Sequence, residues 1–171
     1  TITKLYLKAN SNWKADGARF AAYFFGNGEK WVSMTAVAGQ TDLYKVTIPT
    51  DKSYPSVIFC RMDGGNQTNG WSNKWNQTAD LTIPTDGTNR ADLPTNVNDG
   101  VTVTWHKVWD NSCWKTFTAP TYSITINAGT GGNVSVSKSS NIALNEEVTV
   151  TVSTSEGYTY KSGTIAIGTN E

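Results

Sequence analysis

Two tryptophans, Trp71 and Trp75, lie four positions apart in a segment that otherwise consists of Ser, Asn, Lys and Gln. Apolar periodicity stops at these two residues, and a plain loop rarely exposes two indoles to solvent. A flat aromatic face attracts the polarised C–H groups of a pyranose, and the amides beside the rings can hydrogen-bond to the hydroxyls of the sugar. The segment therefore predicts a binding surface for a sugar ring.

A structural role is the alternative for each of these side chains. Trp and Tyr fill the cores of small β domains, so we expect roughly half of the tryptophans to be structural. To that group we assign Trp13, Trp105 and Trp114. Trp71 is assigned to the surface, because its loop is polar and has no apolar neighbours. Gln77 can equally cap a turn through its side chain.

Catalysis has no comparable support. A glycosidase needs two carboxylates across a cleft, but the acidic residues lie in turns or at strand ends, where Asp is favoured for backbone reasons. Examples are Asp63, Asp80, Asp86, Asp99 and Asp110. His106 is the only histidine, and no Gly-x-Ser-x-Gly motif is present. We predict that the protein is not an enzyme and uses no cofactor.

A metal site is not expected either. The Asp-Gly-Gly-Asn segment at 63–66 could hold a calcium ion, but a turn needs the same residues, and we favour the turn. Cys60 and Cys113 match no zinc pattern. Cys60 lies in an apolar strand, where a free cysteine behaves as a small hydrophobe. A disulfide between the two stays open, since only their even number supports it.

The composition limits the partners. The 171 residues are 37% hydrophobic and 16% charged, with a formal net charge of zero. Without a basic field we expect no nucleic acid partner, and without a long apolar run we expect no membrane partner. Few cysteines and many Thr, Asn and Trp are typical of an exported bacterial protein, so we predict a secreted or cell-surface monomer. The chain begins directly in a strand pattern, which predicts an excised piece of a larger protein.

Short strand patterns, separated by turn signals, run through the chain up to about residue 119. Residues 19–25 alternate, with Phe20, Ala22 and Phe24 on one face and Tyr23 and Phe25 on the other. With the first set in the core, Tyr23 and Phe25 are expected to point outward. The strands are predicted at 2–7, 19–25, 31–34, 43–48, 57–62, 79–83, 101–105 and 109–117. A turn is predicted at 10–17, loops at 71–75 and 88–100, and no helix. The pattern predicts an all-β fold, an antiparallel, immunoglobulin-like β-sandwich.

A change of composition near Ala119-Pro120 predicts a domain boundary. Beyond it, residues 122–126, 133–137 and 148–152 are Thr/Ser/Val strands without tryptophan. About fifty residues give only a marginal core. We therefore divide the chain into a first domain, 1–119, and a small all-β spacer, 120–171, which packs on its neighbour or belongs to a longer array.

A series of short motifs follows a fixed order in the first domain. They are Trp13, Ala22-Tyr23-Phe24, Trp31-Val32-Ser33-Met34, Tyr44, Ile48-Pro49, Val57-Ile58-Phe59 and Asn76-Gln77-Thr78-Ala79-Asp80-Leu81. This order resembles the starch-binding modules of carbohydrate-binding families 25 and 26. The most specific part is the pairing of residues 57–59 with 77–81, whereas the loop at 63–74 and the stretch at 88–104 depart from the family pattern.

The resemblance implies a small β-sandwich appended to bacterial amylases or cell-surface starch systems. It implies non-catalytic binding of an α-glucan polysaccharide, such as starch or maltooligosaccharides, on surface aromatic residues. Carried over by motif, these are Tyr23, Trp31 and Trp71, with Lys74 or Gln77 as hydrogen-bonding partners and Trp75 as an alternative to Trp71. The curve of α-1,4-linked glucan suits a shallow aromatic cradle, whereas flat cellulose or xylan needs coplanar rings. The alternative function is an adhesion or scaffold module whose exposed aromatic residues bind a protein.

The tail has motifs of its own. It carries Gly131-Gly132 after a first strand, then Glu146-Glu147-Val148-Thr149-Val150, then Gly157-Tyr158-Thr159-Tyr160. This order resembles the repeated β domains of bacterial surface proteins. It implies a spacer rather than a second chemistry.

Overall fold

The computed structural model describes residues 1–94 and 111–159. The chain divides into two compact units, Thr1–Thr118 and Ala119–Glu171, a division next to the boundary predicted between residues 119 and 120. Several predictions lie outside the described residues. They concern the strand at 101–105, the start of the strand at 109–117, Asp99, Trp105, His106, Asp110 and Tyr160.

The described part of the first unit consists of short strands with one short helix. The strands are β1 (Lys4–Lys8), β2 (Arg19–Phe25), β3 (Glu29–Ser33), β4 (Thr35–Ala36), β5 (Leu43–Thr47), β6 (Ser56–Met62), β7 (Lys74–Gln77), β8 (Leu81–Thr82), β9 (Arg90–Asp92) and β10 (Trp114–Lys115). Helix α1 spans Ser11–Lys14, and 3₁₀ turns span Ala15–Gly17, Trp71–Asn73 and Asn111–Cys113. Among the described residues, no helix has the length and apolar character that crossing a membrane requires. The predicted all-β fold is confirmed.

The strands of this unit form two five-stranded sheets. The first sheet has the order β10-β9-β1-β5-β4, and the second has the order β3-β2-β6-β7 with β8 also paired to β6. The described pairings are antiparallel, as predicted, except that β1 and β9 run parallel. Both sheets contribute alternate side chains to one core, for example Leu5 and Leu7 from β1 and Phe20 and Phe24 from β2. The arrangement is sandwich-like, and an immunoglobulin-like connectivity stays a prediction.

Two of the tryptophans assigned to structural roles lie in this core. Trp13 is fully buried and Trp114 is 9% exposed. The Trp13 ring stacks on Phe20, with the two centroids 6.2 Å apart and the planes inclined by 11°. Full burial of one large apolar side chain stabilises the folded state by about 1.5–3 kcal/mol. The structural assignment of Trp13 and Trp114 is confirmed.

The segment at 10–17 is a helix followed by a 3₁₀ turn, and the prediction of a plain turn is wrong. Asn10 Oδ1 accepts a hydrogen bond from the backbone N–H of Trp13 at 2.8 Å, which satisfies one of the free donors at the helix N-terminus. A helix of one turn is too short to show apolar periodicity in the sequence. Its effect is to direct Trp13 into the core.

Strands β7 and β9 occupy stretches that the sequence predicted as loops. Both are short and polar, so backbone pairing rather than an apolar pattern makes them strands: β7 pairs with β6, and β9 pairs with β1. The β6–β7 register shifts between Arg61 and Met62. Such a bulge bends the strand and redirects its side chains.

The second unit contains two antiparallel ribbons in its described part. One pairs β11 (Thr121–Tyr122) with β13 (Ile142–Ala143), and the other pairs β12 (Gly132–Val136) with β14 (Val150–Thr154). The predicted strand at 122–126 is thus shorter, and the one at 148–152 lies further along the chain. Ile142 is buried, whereas Val150 and Val152 are exposed. The all-β prediction for this segment is confirmed, and its thin core fits the marginal stability of isolated ribbons.

The two cysteines are both free thiols. Cys113 packs against the core between the sheets, whereas Cys60 belongs to a separate cluster on the other face of the second sheet. The disulfide that the sequence left open is therefore absent, because the second sheet separates the two side chains.

Candidate functional site

The second sheet buries apolar side chains on both of its faces. Alternation along β2 sends Phe20, Ala22 and Phe24 into the core, and Ala21 and Tyr23 to the opposite face. This outer cluster consists of Ala21, Tyr23, Ile58, Cys60 and Met62, with Phe25 and Trp31 packed against it. The outer face is therefore not a simple solvated surface: Tyr23, predicted to point outward, is only 7% exposed.

Four rings in and beside the outer cluster form the aromatic patch, defined as Tyr23, Phe25, Trp31 and Trp71. The Trp71 centroid lies 4.6 Å from that of Tyr23, at 67°, and 4.8 Å from that of Trp31, at 71°. Tyr23 lies 5.0 Å from Trp31 and stacks on Phe25 at 5.6 Å. Edge-to-face and offset pairs at these distances each stabilise by about 0.5–1.5 kcal/mol beyond burial.

Trp71 is both packed and exposed. Its side chain remains 45% exposed, as expected of a surface residue. The prediction that it lacks apolar neighbours is wrong, because residues remote in sequence supply them: Tyr23 comes from β2 and Trp31 from β3. The patch therefore has a packed base, and Trp71 remains partly accessible to solvent.

Strand β7 brings Lys74 and Gln77 to the same face. Lys74 pairs with Met62 and Gln77 pairs with Cys60, two residues of the outer cluster. Lys74 Nζ donates a hydrogen bond to Gln77 Oε1, and it lies 5.3 Å from the centroid of the Trp71 ring. Such a cation–π contact is worth roughly 0.5–1 kcal/mol at an exposed site. Five of the predicted side chains thus come together: Tyr23, Trp31, Trp71, Lys74 and Gln77.

Glu29 provides a carboxylate beside the patch. It pairs with Phe25 across the β2–β3 hairpin, and its carboxylate interacts electrostatically with the Tyr23 hydroxyl. Burial raises the pKa of Tyr23, and the interaction with Glu29 raises that pKa further. The sequence analysis did not select Glu29; the alternation of β3, which puts Glu29 and Trp31 on one face, was the signal that could have found it.

Trp75 lies outside the patch. Its ring lies 4.8 Å from the guanidinium carbon of Arg61. Arg61 faces away from the outer cluster and donates hydrogen bonds to the carbonyl oxygens of Trp13 at 2.8 Å and Ala15 at 2.7 Å. Trp75 is 38% exposed, so it resembles Trp71 in exposure but not in surroundings. The β6–β7 bulge separates the two indoles.

Hydrogen bonds and a close backbone contact order the loop between β6 and β7. Asp63 Oδ1 accepts a hydrogen bond from the Gly65 N–H at 2.8 Å, the turn that the sequence favoured over a calcium loop. A side chain at Gly64 would lie 1.8 Å from the carbonyl oxygen of Gly17, so only glycine permits this close approach. In the part of the chain that the structure describes, no three His, Cys, Asp or Glu residues are grouped to hold a metal ion.

The thiol of Cys60 lies beneath the site. Burial raises its pKa to about 12, and the positive charge of Lys74 opposes that shift. A thiol held neutral in this way is a poor nucleophile. Cys60 therefore supports the patch as an apolar side chain.

A groove in the described part of the chain lies away from the aromatic patch. It has a volume of about 480 Å³ and involves none of the predicted site residues; its lining includes Thr82, Asp86, Asn111 and Trp114. The aromatic patch is instead an open surface. An open surface suits a polymer that extends beyond its binding site, whereas an enclosed cavity suits a small molecule.

Comparison with known proteins identifies no similar protein. No family model matches the chain, no curated protein matches it, and no solved structure matches it. The likeness to starch-binding modules stays a resemblance carried by short motifs.

Proposed function

We propose that the first unit is a non-catalytic module that binds α-1,4-linked glucan on the aromatic patch, within a larger exported or cell-surface bacterial protein. One observation carries the proposal: the rings of Trp31 and Trp71 lie 4.8 Å apart, their planes are inclined by 71°, and Trp71 is 45% exposed. The motifs that resemble the starch-binding families point to the same two residues and to Tyr23.

The chemistry of the patch supports a sugar ligand. An exposed indole face attracts the C–H face of a pyranose, and hydrogen-bonding groups at its edge take the hydroxyls. Lys74 and Gln77 supply hydrogen-bond donors near the rings, and Glu29 supplies an acceptor. The rings already pack on one another in the free protein, so binding costs little side-chain entropy.

The angle between the rings favours a curved ligand. A flat chain such as cellulose stacks on coplanar rings, whereas Trp31 and Trp71 are far from coplanar, at 71°. Successive glucose units of an α-1,4-linked chain turn relative to one another and can follow two inclined faces. We therefore infer an α-glucan rather than cellulose or xylan.

A binding assay with matched variants tests the proposal. Migration of the protein should be retarded in a native gel containing amylopectin, and titration with maltoheptaose should give a saturable signal, with cellohexaose as the control sugar. Trp71→Ala should remove most of this binding. Trp75→Ala is the matched control, because the two indoles are 45% and 38% exposed but only Trp71 belongs to the patch. Equal loss in both variants would contradict the proposed site.

Two outcomes would replace the proposal. Unchanged migration with amylopectin, autoclaved starch, pullulan and xylan would favour the adhesion or scaffold function, since exposed Trp and Tyr are also hot-spot residues for protein partners. Release of reducing sugar that survives repurification would make the protein an enzyme. We expect none, because glycoside hydrolysis needs a pair of carboxylates across the scissile bond.

A further inference from the structure

We propose that Arg19 is a positioning residue for the glucan site, because it holds the loop that carries Trp71; the inference rests on the proposed function. Arg19 lies on β2, and the loop, residues 63–73, follows β6. We call this segment the Trp71 loop. In this role Arg19 does not touch the ligand but acts through the placement of Trp71.

The guanidinium group of Arg19 bonds to the loop at four points. Nε donates to the carbonyl oxygens of Asp63 at 3.2 Å and Asn66 at 2.7 Å, Nη1 donates to Asn69 Oδ1 at 2.6 Å, and Nη2 donates to the carbonyl oxygen of Thr68 at 2.9 Å. One planar, rigid group thus fixes the backbone just before Trp71. Hydrogen bonds from a charged donor are stronger than neutral ones.

A second bond ties the same loop to the strand of the other indole. Asn69 Nδ2 donates to Ser33 Oγ at 3.0 Å, and Ser33 lies on β3 with Trp31. Asn69 therefore connects Arg19 to β3 through its amide group. The two inclined indoles, Trp31 and Trp71, are held relative to each other by this short chain of contacts.

The far side of Trp71 is fixed within the loop itself. Asn73 Nδ2 donates to the carbonyl oxygen of Thr68 at 2.9 Å, and Asn73 Oδ1 accepts from Asn66 Nδ2 at 3.2 Å. The Asp63 N–H also donates to the carbonyl oxygen of Asn73 at 2.9 Å. Trp71 therefore lies between two anchored stretches, and the first of them depends on Arg19.

Hydrogen bonds, rather than burial of apolar side chains, order most of the loop. Apart from Trp71, residues 63–73 are polar or glycine, so burial cannot order the loop and polar bonds must. A lysine keeps the charge but lacks the fork that reaches several carbonyl groups at once. Loss of the fork releases the loop, and the ligand must then reorder Trp71 at the expense of affinity.

The experiment uses the full chain and the variants Arg19→Met and Arg19→Lys. Arg90→Met is the matched control, because Arg90 is also half-buried in a strand but bonds to Asp92, with Nη2 to Oδ2 at 2.9 Å. Two readouts are taken: the affinity for maltoheptaose, and the ¹⁹F resonance of Trp71 in ligand-free, 5-fluorotryptophan-labelled protein, assigned with Trp71→Phe. Circular dichroism checks that each variant is folded.

We expect Arg19→Met to weaken maltoheptaose binding about tenfold, which is about 1.4 kcal/mol, and to shift the Trp71 resonance towards that of a solvated indole. In Arg19→Lys, both the maltoheptaose affinity and the position of the Trp71 resonance should lie between those of Arg19→Met and the wild type. Arg90→Met should change neither readout. In a Trp71→Ala background, Arg19→Met should cause no further loss, because the residue that it positions is gone.

Three results would overturn the inference: a folded Arg19→Met with unchanged affinity, an unchanged Trp71 resonance, or the same losses in Arg90→Met. If Arg19→Met does not fold, Arg19→Lys decides by the same readouts. If the wild type binds no α-glucan, the proposed function fails, and the ligand-free Trp71 resonance alone then decides whether Arg19 holds the loop.

Discussion

The two faces of the second sheet are made from the same strands but are closed in different ways. Along β2, Phe24 points into the core between the sheets and is fully buried, while its neighbour Phe25 packs at the margin of the outer cluster. Another sheet closes the inner face. A polar loop and a few rings close the outer face, and Trp71 stays 45% exposed.

The difference separates side chains that are enclosed in the core from side chains that remain partly exposed. On the inner face, surrounding atoms leave no open aromatic surface, and any truncation leaves a cavity. On the outer face, the rings are fixed by one another and by a hydrogen-bonded loop, and Trp71 stays partly exposed. The proposed binding function rests on this partly exposed group of rings.

Adjacent phenylalanines give the sharpest test of the two faces. Phe24→Ala should destabilise the first unit by about 3–5 kcal/mol, because it creates a cavity in the closed core. Phe25→Ala removes the same atoms from a partly exposed site and should cost no more than about 2 kcal/mol. Chemical denaturation of both variants measures the difference. Equal losses would mean that the outer face is as closed as the inner one.

Alkaline pH probes the buried thiol under the outer face. Burial raises the pKa of Cys60 to about 12 in the folded protein, so between about pH 9 and 12 the unfolded thiol loses its proton while the folded one keeps it. The unfolded state then binds fewer protons, and stability falls as pH rises, by roughly 1.4 kcal/mol per pH unit at the steepest.

Comparison of Cys60→Ala with the wild type isolates this contribution. The variant should be less stable at neutral pH but should lose less stability on raising the pH, whereas Cys113→Ala should keep the steep wild-type dependence. Other groups that titrate in this range, Tyr23 among them, are common to all three proteins. If the free energy of unfolding falls equally with pH in Cys60→Ala and in the wild type, water must reach the outer cluster in the folded protein.

Truncation of the exposed indole separates binding from stability. Trp71→Ala should weaken maltoheptaose binding by about 1–3 kcal/mol if stacking on a sugar resembles stacking on other flat ligands. Because its ring also contacts Tyr23 and Trp31, we expect a loss of stability of about 1–2 kcal/mol, more than for a typical surface residue. Calorimetric titration and thermal melting measure the two effects. A stability loss above that of Phe24→Ala would assign Trp71 to the fold instead.

Removal of the second unit should have the smallest effect on binding. All the residues of the aromatic patch, with Lys74 and Gln77, belong to the first unit. A chain ending at Thr118 should therefore keep the maltoheptaose affinity of the full chain. A clear loss of affinity with an unaltered melting curve would show that the tail is more than a spacer.

The sequence by itself determined the strands whose side chains alternate. The pattern of residues 19–25 and 57–62 is local and strong, so it predicted the all-β fold, the core positions of Phe20, Ala22 and Phe24, and the outward direction of Tyr23. It failed for α1, β7 and β9, which are too short or too polar to carry an apolar period. Motif resemblance, not periodicity, pointed to Trp31, Lys74 and Gln77.

Tertiary structure alone decided which of those residues meet. Tyr23, Trp31 and Trp71 become neighbours because β2 pairs with β3 on one side and β6 on the other, and because the loop after β6 folds back over that face. The bulge between Arg61 and Met62 sends Trp75 away from the patch. Arg19 donates hydrogen bonds to a loop that begins 44 residues later in the chain. Strand pairing and long-range hydrogen bonds have no local signature in the chain, so the site's membership could be read only from the folded protein.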